Sequence, residues 1–470
     1  MTALFRRSDG IVDFDNRRCI GCKACMQACP YDALYIDPNT NTAAKCNYCA
    51  HRIDVGLEPA CVNVCPTQAI VSGDLDDPQS NISQLKSRQQ VTARKVEKGT
   101  LPSLFYIDAD ADSLDPIATE FVDSTMWGTQ SSGVGHHAEH SQHALDRLGD
   151  LLSLGEQSEM LTPESKTIKE SSAKAADIVQ SVAPAPRRAY DAPQKGVLWG
   201  WQVTGYLWTK AIATGVIMVP LLAERLEIVN VNVGVEWMCI LISMIFMALT
   251  GGLLVWDLDQ PKRFLNVMLR PQWKSWLVRG AYIITAFVAV LSAYTMMFLT
   301  GWGLVFEPLV QIVLLLLAAM TAVYTAFLFA QAKGRDFWQS PMLALHMLNH
   351  AFIAGAAVLA ILAGFGDGDW PEFLRGVLLV TLVVHLVSTW FELLTTHPTE
   401  TSKRVVESIL RGKYRDLFWW GVMGVGTFVP LGLLTLAPSA PLTLIGAMTL
   451  IGVFIAQHIW VRAPQQLPLS

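Results

Sequence analysis

Nine cysteines occur in the chain, and eight of them fall between Cys19 and Cys65. They stand as Cys19-Ile-Gly-Cys22-Lys-Ala-Cys25-Met-Gln-Ala-Cys29-Pro30, then Cys46-Asn-Tyr-Cys49, then Cys61-Val-Asn-Val-Cys65-Pro66. Thiols this dense form disulfides, bind zinc or hold iron–sulfur clusters. Disulfides belong to oxidising compartments. Zinc usually takes four ligands in two pairs and leaves the two Cys-Pro endings unexplained. Three thiolates two residues apart can wrap one cubic cluster, and Gly21 eases the turn between them. Two [4Fe–4S] clusters need eight ligands, which is what this region supplies with none left over. Two clusters held close together serve to relay electrons. The ninth thiol, Cys239, sits in an apolar run and reads as a small core filler.

The first run resembles the bacterial ferredoxin pattern, in which three cysteines hold one cluster and the fourth, before proline, reaches the other. This crossed arrangement assigns Cys19, Cys22, Cys25 and Cys65 to one cluster and Cys29, Cys46, Cys49 and Cys61 to the second. The later run also carries Ala50-His-Arg-Ile53, Gly56-Leu-Glu-Pro59 and Pro66-Thr-x-Ala69 around its cysteines. With these it resembles the electron-transfer subunits of complex iron–sulfur molybdoenzymes, over about residues 10 to 75. Those subunits usually hold twice as many clusters. The resemblance implies a separate molybdopterin-type catalytic subunit as electron partner, reached directly or through a further iron–sulfur protein.

These motifs need a scaffold, and the composition describes two solvents. Hydrophobic residues make up 52% of the chain and charged residues only 16%, against about one quarter charged in soluble domains. The shortfall lies in the C-terminal half. A bilayer core of ~30 Å takes about 20 apolar residues in a helix. Runs of that length lie near Leu198–Leu222, Val233–Trp256, Trp276–Leu299, Phe306–Ala330, Pro341–Phe365, Phe373–Thr395, Asp416–Leu436 and Pro441–Val461. Continuous apolar runs, rather than alternating ones, mean helices. The expected fold is therefore an N-terminal α+β, bacterial-ferredoxin-like 4Fe–4S domain followed by an all-α polytopic membrane domain of eight transmembrane helices. We divide the chain into residues 1–75 (two-cluster domain), 76–196 (a polar, partly disordered linker) and 197–465 (membrane domain). The linker is expected to hold one short strand and one helix. Its histidines His136, His137, His140 and His143 read as part of a solvated polar stretch rather than as a metal site.

With eight spans, both ends of the membrane domain lie on one side. That side carries Arg187, Arg188, Lys195, Lys262, Arg263, Arg270, Lys274, Arg279, Lys333, Arg335, Lys403, Arg404, Arg411, Lys413, Arg415 and Arg462, while the other shows Arg225 and Arg375. Short basic loops stay in the cytoplasm. The cluster domain is accordingly expected on the cytoplasmic side of a bacterial inner membrane, where thiols stay reduced. Met1 to Phe14 lack an apolar core of signal-peptide length, so no leader is expected. The net charge of −5 selects no partner class, and no basic stripe with interleaved aromatics suggests nucleic acid.

The end of the second span and the loop after it read Trp256-Asp257-Leu-Asp259-Gln-Pro261-Lys-Arg263-Phe264, then Arg270-Pro271 and Ser275-Trp276-x3-Gly280. Together with Trp199-Gly-Trp, Tyr206, Thr209-Lys210-Ala and Gly215 in the first span, and Trp338-x-Ser-Pro341 before the fifth, they resemble the NrfD-like family, the membrane subunits of polysulfide reductase and related enzymes. The resemblance covers about residues 195 to 465. It implies eight helices, no haem, and electron exchange with a quinone (menaquinone or ubiquinone) beside an iron–sulfur partner.

Quinone chemistry moves two electrons and two protons, so its pocket needs hydrogen-bonding and ionisable groups. Ionisable side chains within a span are costly and point to function. Tyr206 and Lys210 share a face at i, i+4, and Lys210 lies ~18 Å into its helix at 1.5 Å per residue. Asp257, Arg263, His350 and Glu392 complete the candidates. Plainer readings stand beside these: an Asp257–Arg263 ion pair bracing the loop, His346 solvated near the interface, His385 hydrogen-bonded between helices. Glu236, near the opposite face, is a candidate for a proton path. The leading expectation is an electron-transfer and quinone-reactive subunit of a respiratory oxidoreductase, with substrate catalysis on another subunit. A self-sufficient ferredoxin:quinone reductase and a passive anchor for an iron–sulfur relay are the alternatives.

Overall fold

A computed structural model describes residues 3–115, 197–301, 303–362 and 368–469. The four histidines between His136 and His143 lie outside the described residues.

The cysteine-rich head is built from two antiparallel hairpins and short helices. Strand β1 (Leu4–Arg6) pairs with β2 (Val12–Phe14), and β3 (Leu34–Asp37) with β4 (Thr42–Lys45). Asp37 closes the second turn: its carboxylate accepts from the Asn39 N–H and the Thr40 hydroxyl, each at 2.9 Å. The cysteines sit in loops that lead into helices of one turn or little more, Ala24–Ala28, Ala50–Ile53 and Ala60–Asn63. Ile20, Met26, Leu34, Ala43 and Ala50 are buried beneath these loops. After the head come a helix, Asn81–Arg88, capped by the Ser80 hydroxyl, and a two-stranded ribbon of Val91–Thr92 and Tyr106–Ile107.

Among the described residues, eight helices are long and apolar enough to cross a membrane. They are α1 (Trp201–Arg225), α2 (Val233–Trp256), α3 (Trp276–Thr300), α4 (Glu307–Ala330), α5 (Met342–Ile361), α6 (Trp370–Leu394), α7 (Leu417–Leu436) and α8 (Leu442–Arg462). The expected spans recur with their ends moved by a few residues. Two features have no counterpart among the expected elements. Residues Leu417–Phe428 of α7 wind as a π-helix, and the Thr427 hydroxyl bonds back to Val422 O at 2.8 Å. An amphipathic helix, Glu400–Leu410, is capped by Thr399 and buries Val405, Val406 and Ile409.

Helix α1 is the axis of the bundle. It is buried along most of its length and packs against α2, α4, α5 and α8. Its approach to α5 is especially close, because two glycines meet where the helices cross. A Cβ on Gly215 would lie 1.9 Å from Ala351 O, and one on Gly355 would lie 2.2 Å from the Gly215 carbonyl carbon. Small residues let membrane helices approach this closely, and the gain is dispersion, since lipid is as apolar as the partner helix. The outer faces of α2, α4 and α6 leave Leu241, Ile245, Leu249, Leu309, Leu316, Val380 and Val387 exposed, while Trp201, Trp256, Trp273 and Trp420 are exposed near helix ends. This is the distribution a bilayer solvates, with tryptophan at its interfaces.

Gly355→Val should lower the thermal unfolding midpoint of the detergent-purified protein, because overpacking costs about 1–3 kcal/mol or more. Gly252→Ala, which meets nothing within 4 Å, should leave the midpoint almost unchanged in the same fluorescence-detected melt.

Candidate functional site

The head rests on the membrane helices through the loop that carries its first three cysteines. The loop after α2 runs alongside it: Asp259 N–H donates to Gly21 O at 3.4 Å and Gln260 N–H to Ile20 O at 3.2 Å. Gly21, at φ +70°, has no room for a side chain, since a Cβ there would lie 2.6 Å from the Asp259 Cβ. Lys23 crosses the seam to Asp259 at 3.0 Å and to Asp257 O at 3.1 Å. Arg263 donates to Asn16 O at 2.6 Å and Cys19 O at 3.0 Å. Its role is therefore docking, rather than an ion pair with Asp257. Ile20 fills a small apolar pocket with Val267 and Val278.

A buried network of polar groups secures the other side of the seam. Arg335, between α4 and α5, donates to Gln27 Oε1 at 2.9 Å and to Pro464 O and Leu467 O at 3.0 and 2.6 Å. Gln27 Nε2 donates to Gln465 Oε1 at 2.6 Å, which also accepts from the Leu198 and Trp199 N–H groups. Burial pulls the Arg335 guanidinium down to about 10, with Asp32 opposing, so it stays charged at neutral pH. Lys98 adds an ion pair with Asp336. All these contacts fall on the face formed by the α2–α3 loop, the α4–α5 loop and the C-terminal segment.

The eight thiols fit a pair of clusters. None is in a disulfide. The Gly21 and Ala43 N–H groups point at Cys19 Sγ at 3.3 and 3.5 Å, and the Tyr48 N–H at Cys46 Sγ at 3.4 Å. Amide donors of this kind stabilise a thiolate and tune a cluster's potential. Lys23, Tyr48 and Cys49 hold left-handed backbone, with φ between 51° and 59°, a conformation costly outside glycine and frequent at functional loops. Cys19 is buried at the seam, whereas Cys46 and Cys61 are exposed. One end of the cysteine set faces the membrane helices and the other faces away from them.

Beneath the seam the ionisable candidates divide between two sides of α1. Toward α4, Tyr206 and Lys210 are 3% and 2% exposed, and both reach Thr325. Lys210 Nζ also donates to Ala322 O at 3.1 Å and lies 4.5 Å from the Tyr324 ring centre. Asp257 stands within charge reach of Tyr206. Burial pushes its carboxyl up to about 6, against the pull of Lys23, so it exchanges a proton near neutrality.

Toward α5, α6 and α8, His346 meets Glu392 at 2.9 Å, Trp460 Nε1 donates to the same carboxylate at 3.0 Å, and His350 Nε2 lies 3.3 Å from His385 Nδ1. His346 is thus buried rather than solvated. A cavity of about 30 Å³ opens between these histidines, Gln457, Thr389 and Phe329. Above it, Trp199 stacks on Phe329 and Trp338, each at 5.4 Å between ring centres, and its indole N–H donates to Cys22 O at 3.1 Å. Glu236 lies apart from both groups and accepts from Tyr294.

The docking roles of Lys23, Gln27, Trp199, Arg335 and Gln465 carry no signal in the sequence. Lys23 sits between two cysteines, and Arg335 reads only as a loop charge. Neither position advertises a partner across the seam.

Residues 191–468 match the family described as Polysulphide reductase, NrfD. The protein belongs to this family. Residues 1–75 match the 4Fe-4S dicluster domain, so an iron–sulfur electron-transfer unit is fused to an NrfD membrane subunit in one multi-pass membrane protein. A tetrathionate reductase subunit of Salmonella typhimurium is 46% identical over 117 residues, which are 24% of this chain and 47% of that protein. A polysulfide reductase subunit of Wolinella succinogenes is 43% identical over 106 residues, 22% of this chain and 56% of that protein. The NrfC protein of Escherichia coli is 44% identical over 101 residues, 21% and 45%. The chain spans about half the length of the curated relatives it matches. The fusion places the dicluster unit on the NrfD helices through the seam described above.

This docking is non-covalent and can be separated from the covalent link. With a protease site inserted between residues 116 and 196, the cleaved wild-type head should co-elute with the NrfD domain in mild detergent. Arg335→Ala strands Gln27 and two carbonyls, a loss of about 2–5 kcal/mol for a buried charged donor. Combined with Arg263→Ala it should release the head on size exclusion.

Proposed function

We propose that this protein relays electrons between a catalytic partner of the molybdopterin type and the quinone pool, menaquinone or ubiquinone, of a bacterial inner membrane. The head and both ends of the NrfD domain face the cytoplasm in this reading, which the basic loops on one face support. The observation that carries it is the seating of the Cys19–Cys25 loop on Asp257 to Arg263, directly over buried Tyr206 and Lys210. The arrangement suits a hand-off between clusters and membrane. The exposed Cys46 and Cys61 suit entry from a partner outside.

The clusters, held by Cys19, Cys22, Cys25 and Cys65 and by Cys29, Cys46, Cys49 and Cys61, supply one-electron steps when bound. The protein's own residues supply the protons and the binding. Lys210, fixed by Thr325 and Ala322 O, offers a directed donor to a quinone oxygen. Tyr206 offers a second donor, a hydroxyl one turn nearer the head, and Asp257 takes up and releases protons beside the cluster loop. Arg263 keeps the cluster loop in register above them. His350 and Glu392 form a second polar group across α1 that handles protons. Substrate chemistry belongs to the partner. A soluble ferredoxin or a further iron–sulfur protein as donor is a second reading, favoured by the set of eight cluster cysteines, half that of the usual subunits.

Quinol added to the purified protein should reduce the clusters, read by electron paramagnetic resonance. Lys210→Ala should slow this at least about 10-fold, the loss expected for one directed donor worth some 1.4 kcal/mol, with iron content unchanged. Clusters in the wild type that never equilibrate with quinol would reduce the protein to a passive anchor. Cys22→Ser should cost one cluster, halving the iron from about eight to about four atoms per chain. A large pterin subunit that co-purifies in stoichiometric amount supports the catalytic partner, and its absence turns the reading to a soluble donor.

A further inference from the structure

The histidines on the second side of α1 form a group that neither electron relay nor docking uses in full. His346, His350 and His385 come from α5 and α6 and are 3%, 7% and 4% exposed. One ring nitrogen from each lies within 4.8 Å of the other two. Among the described residues no other three histidines, cysteines or carboxylates gather in this way. Apart from the contact of His346 with Glu392 at 2.9 Å, their hydrogen bonding is thin for so buried a set. His350 and His385 share one contact at 3.3 Å, and His346 lies at 3.5 Å from the Ser388 hydroxyl.

We propose that His346, His350 and His385 form a buried tris-histidine site for a late first-row divalent ion, Zn²⁺ foremost, with a water or hydroxide as fourth ligand in the adjoining cavity. Four observations carry it. First, a tetrahedral ion with metal–nitrogen bonds of 2.0–2.1 Å spaces its ligand nitrogens about 3.3–3.4 Å apart. His350 Nε2 and His385 Nδ1 already stand 3.3 Å apart, and His346 is near enough to close the triangle by a small ring rotation. Second, imidazole suits zinc and its neighbours, and nothing at the site offers the oxygen cage that magnesium or calcium requires. Third, Glu392 sits 2.9 Å from His346 and is steadied by the Trp460 indole. A carboxylate beside a ligating histidine fixes the ring and raises its basicity. Fourth, the cavity of about 30 Å³ has room for a water, and three polar atoms near it lack a protein partner: Glu392 Oε1, Thr389 Oγ1 and Gln457 Oε1. A water on the ion would meet them.

Charge selects the form of that fourth ligand. Three neutral imidazoles around a doubly charged ion, one outer carboxylate and one hydroxide sum to zero. A buried site in an apolar bundle favours the neutral set, because uncompensated charge is expensive there. The ion thereby ties α5 to α6 and holds an ionisable water in the cavity that Phe329, beneath Trp199, closes from above.

The test uses the full-length protein, purified with its clusters from cells grown with added zinc. Elemental analysis counts iron and zinc in one sample, with copper, nickel and cobalt alongside. Zinc should stand at about one ion per chain, as for structural and catalytic sites of this ligand set. The double variant His350→Gln/His385→Gln should lose it while the cluster iron stays. Glu392→Gln should keep the site but weaken zinc about 10–100-fold against a competing chelator. Zinc-edge X-ray absorption should show imidazole nitrogens at about 2.0–2.1 Å. The proposal is overturned if the folded wild type carries less than about a tenth of an ion per chain, or if the double variant retains its zinc. The former leaves a hydrogen-bonded imidazole cluster, the latter an adventitious ion elsewhere. Metal content is read without quinone, so this result and the quinol-driven reduction of the clusters fail independently.

Discussion

A charged guanidinium enclosed between two protein surfaces must have its donors met. Arg335 meets this demand only when the head is in place, because Gln27 supplies the acceptor for its Nε. Gln27 in turn passes a hydrogen bond to Gln465, which holds the entry to α1 through Leu198 and Trp199. The α4–α5 loop, the start of α1 and the end of α8 thus share one buried polar network with the cluster loop. Removing Gln27 leaves the Arg335 Nε without its acceptor, and the asymmetry between a made and a broken buried hydrogen bond is what gives the seam its order. The position of the first cysteine loop above Tyr206 and Lys210 follows from that seam.

Below it, the contact of Gly215 with Gly355 draws α1 and α5 together and decides how the polar side chains are shared out. Tyr206 and Lys210, four residues apart, turn toward α4. Leu207, one residue on from Tyr206, turns toward the histidines. The two polar groups are thereby kept on opposite sides of a helix that is itself almost wholly buried. The Tyr206–Lys210 pair against α4 and the histidine cavity against α5, α6 and α8 are different environments, and α1 separates them.

The parts legible in sequence are those whose physics is local. Cysteine spacing encodes a cluster loop directly, and an apolar run of spanning length can be little else. Lys210 stands out because an ionisable amine so far from either interface is costly to bury. The seam is not legible, since Gln27, Arg335 and Gln465 are ordinary residues until a third dimension brings them within 3 Å. His346 misleads for the same reason: its place near a helix end suggests water, but Glu392 and Trp460 cover it from α6 and α8. The π-helical start of α7 has no local signal beyond the glycines Gly421, Gly424 and Gly426, and its close contact of Gly426 with Gly452 of α8 is again tertiary.

The seam also bears on how the protein is made. The eight helices satisfy their own backbone within the membrane, whereas the cysteine loops are organised to hold clusters. Without the cluster loop, the Arg335 Nε loses its acceptor and Gln465 loses the Gln27 donor, and Val267 and Val278 stand open where Ile20 belongs. A subunit without its cluster loop in place therefore exposes polar and apolar groups of the seam that the docked head covers. Seating of the cluster loop and completion of the polar seam on the NrfD domain are thereby one step, since each supplies the partner the other lacks.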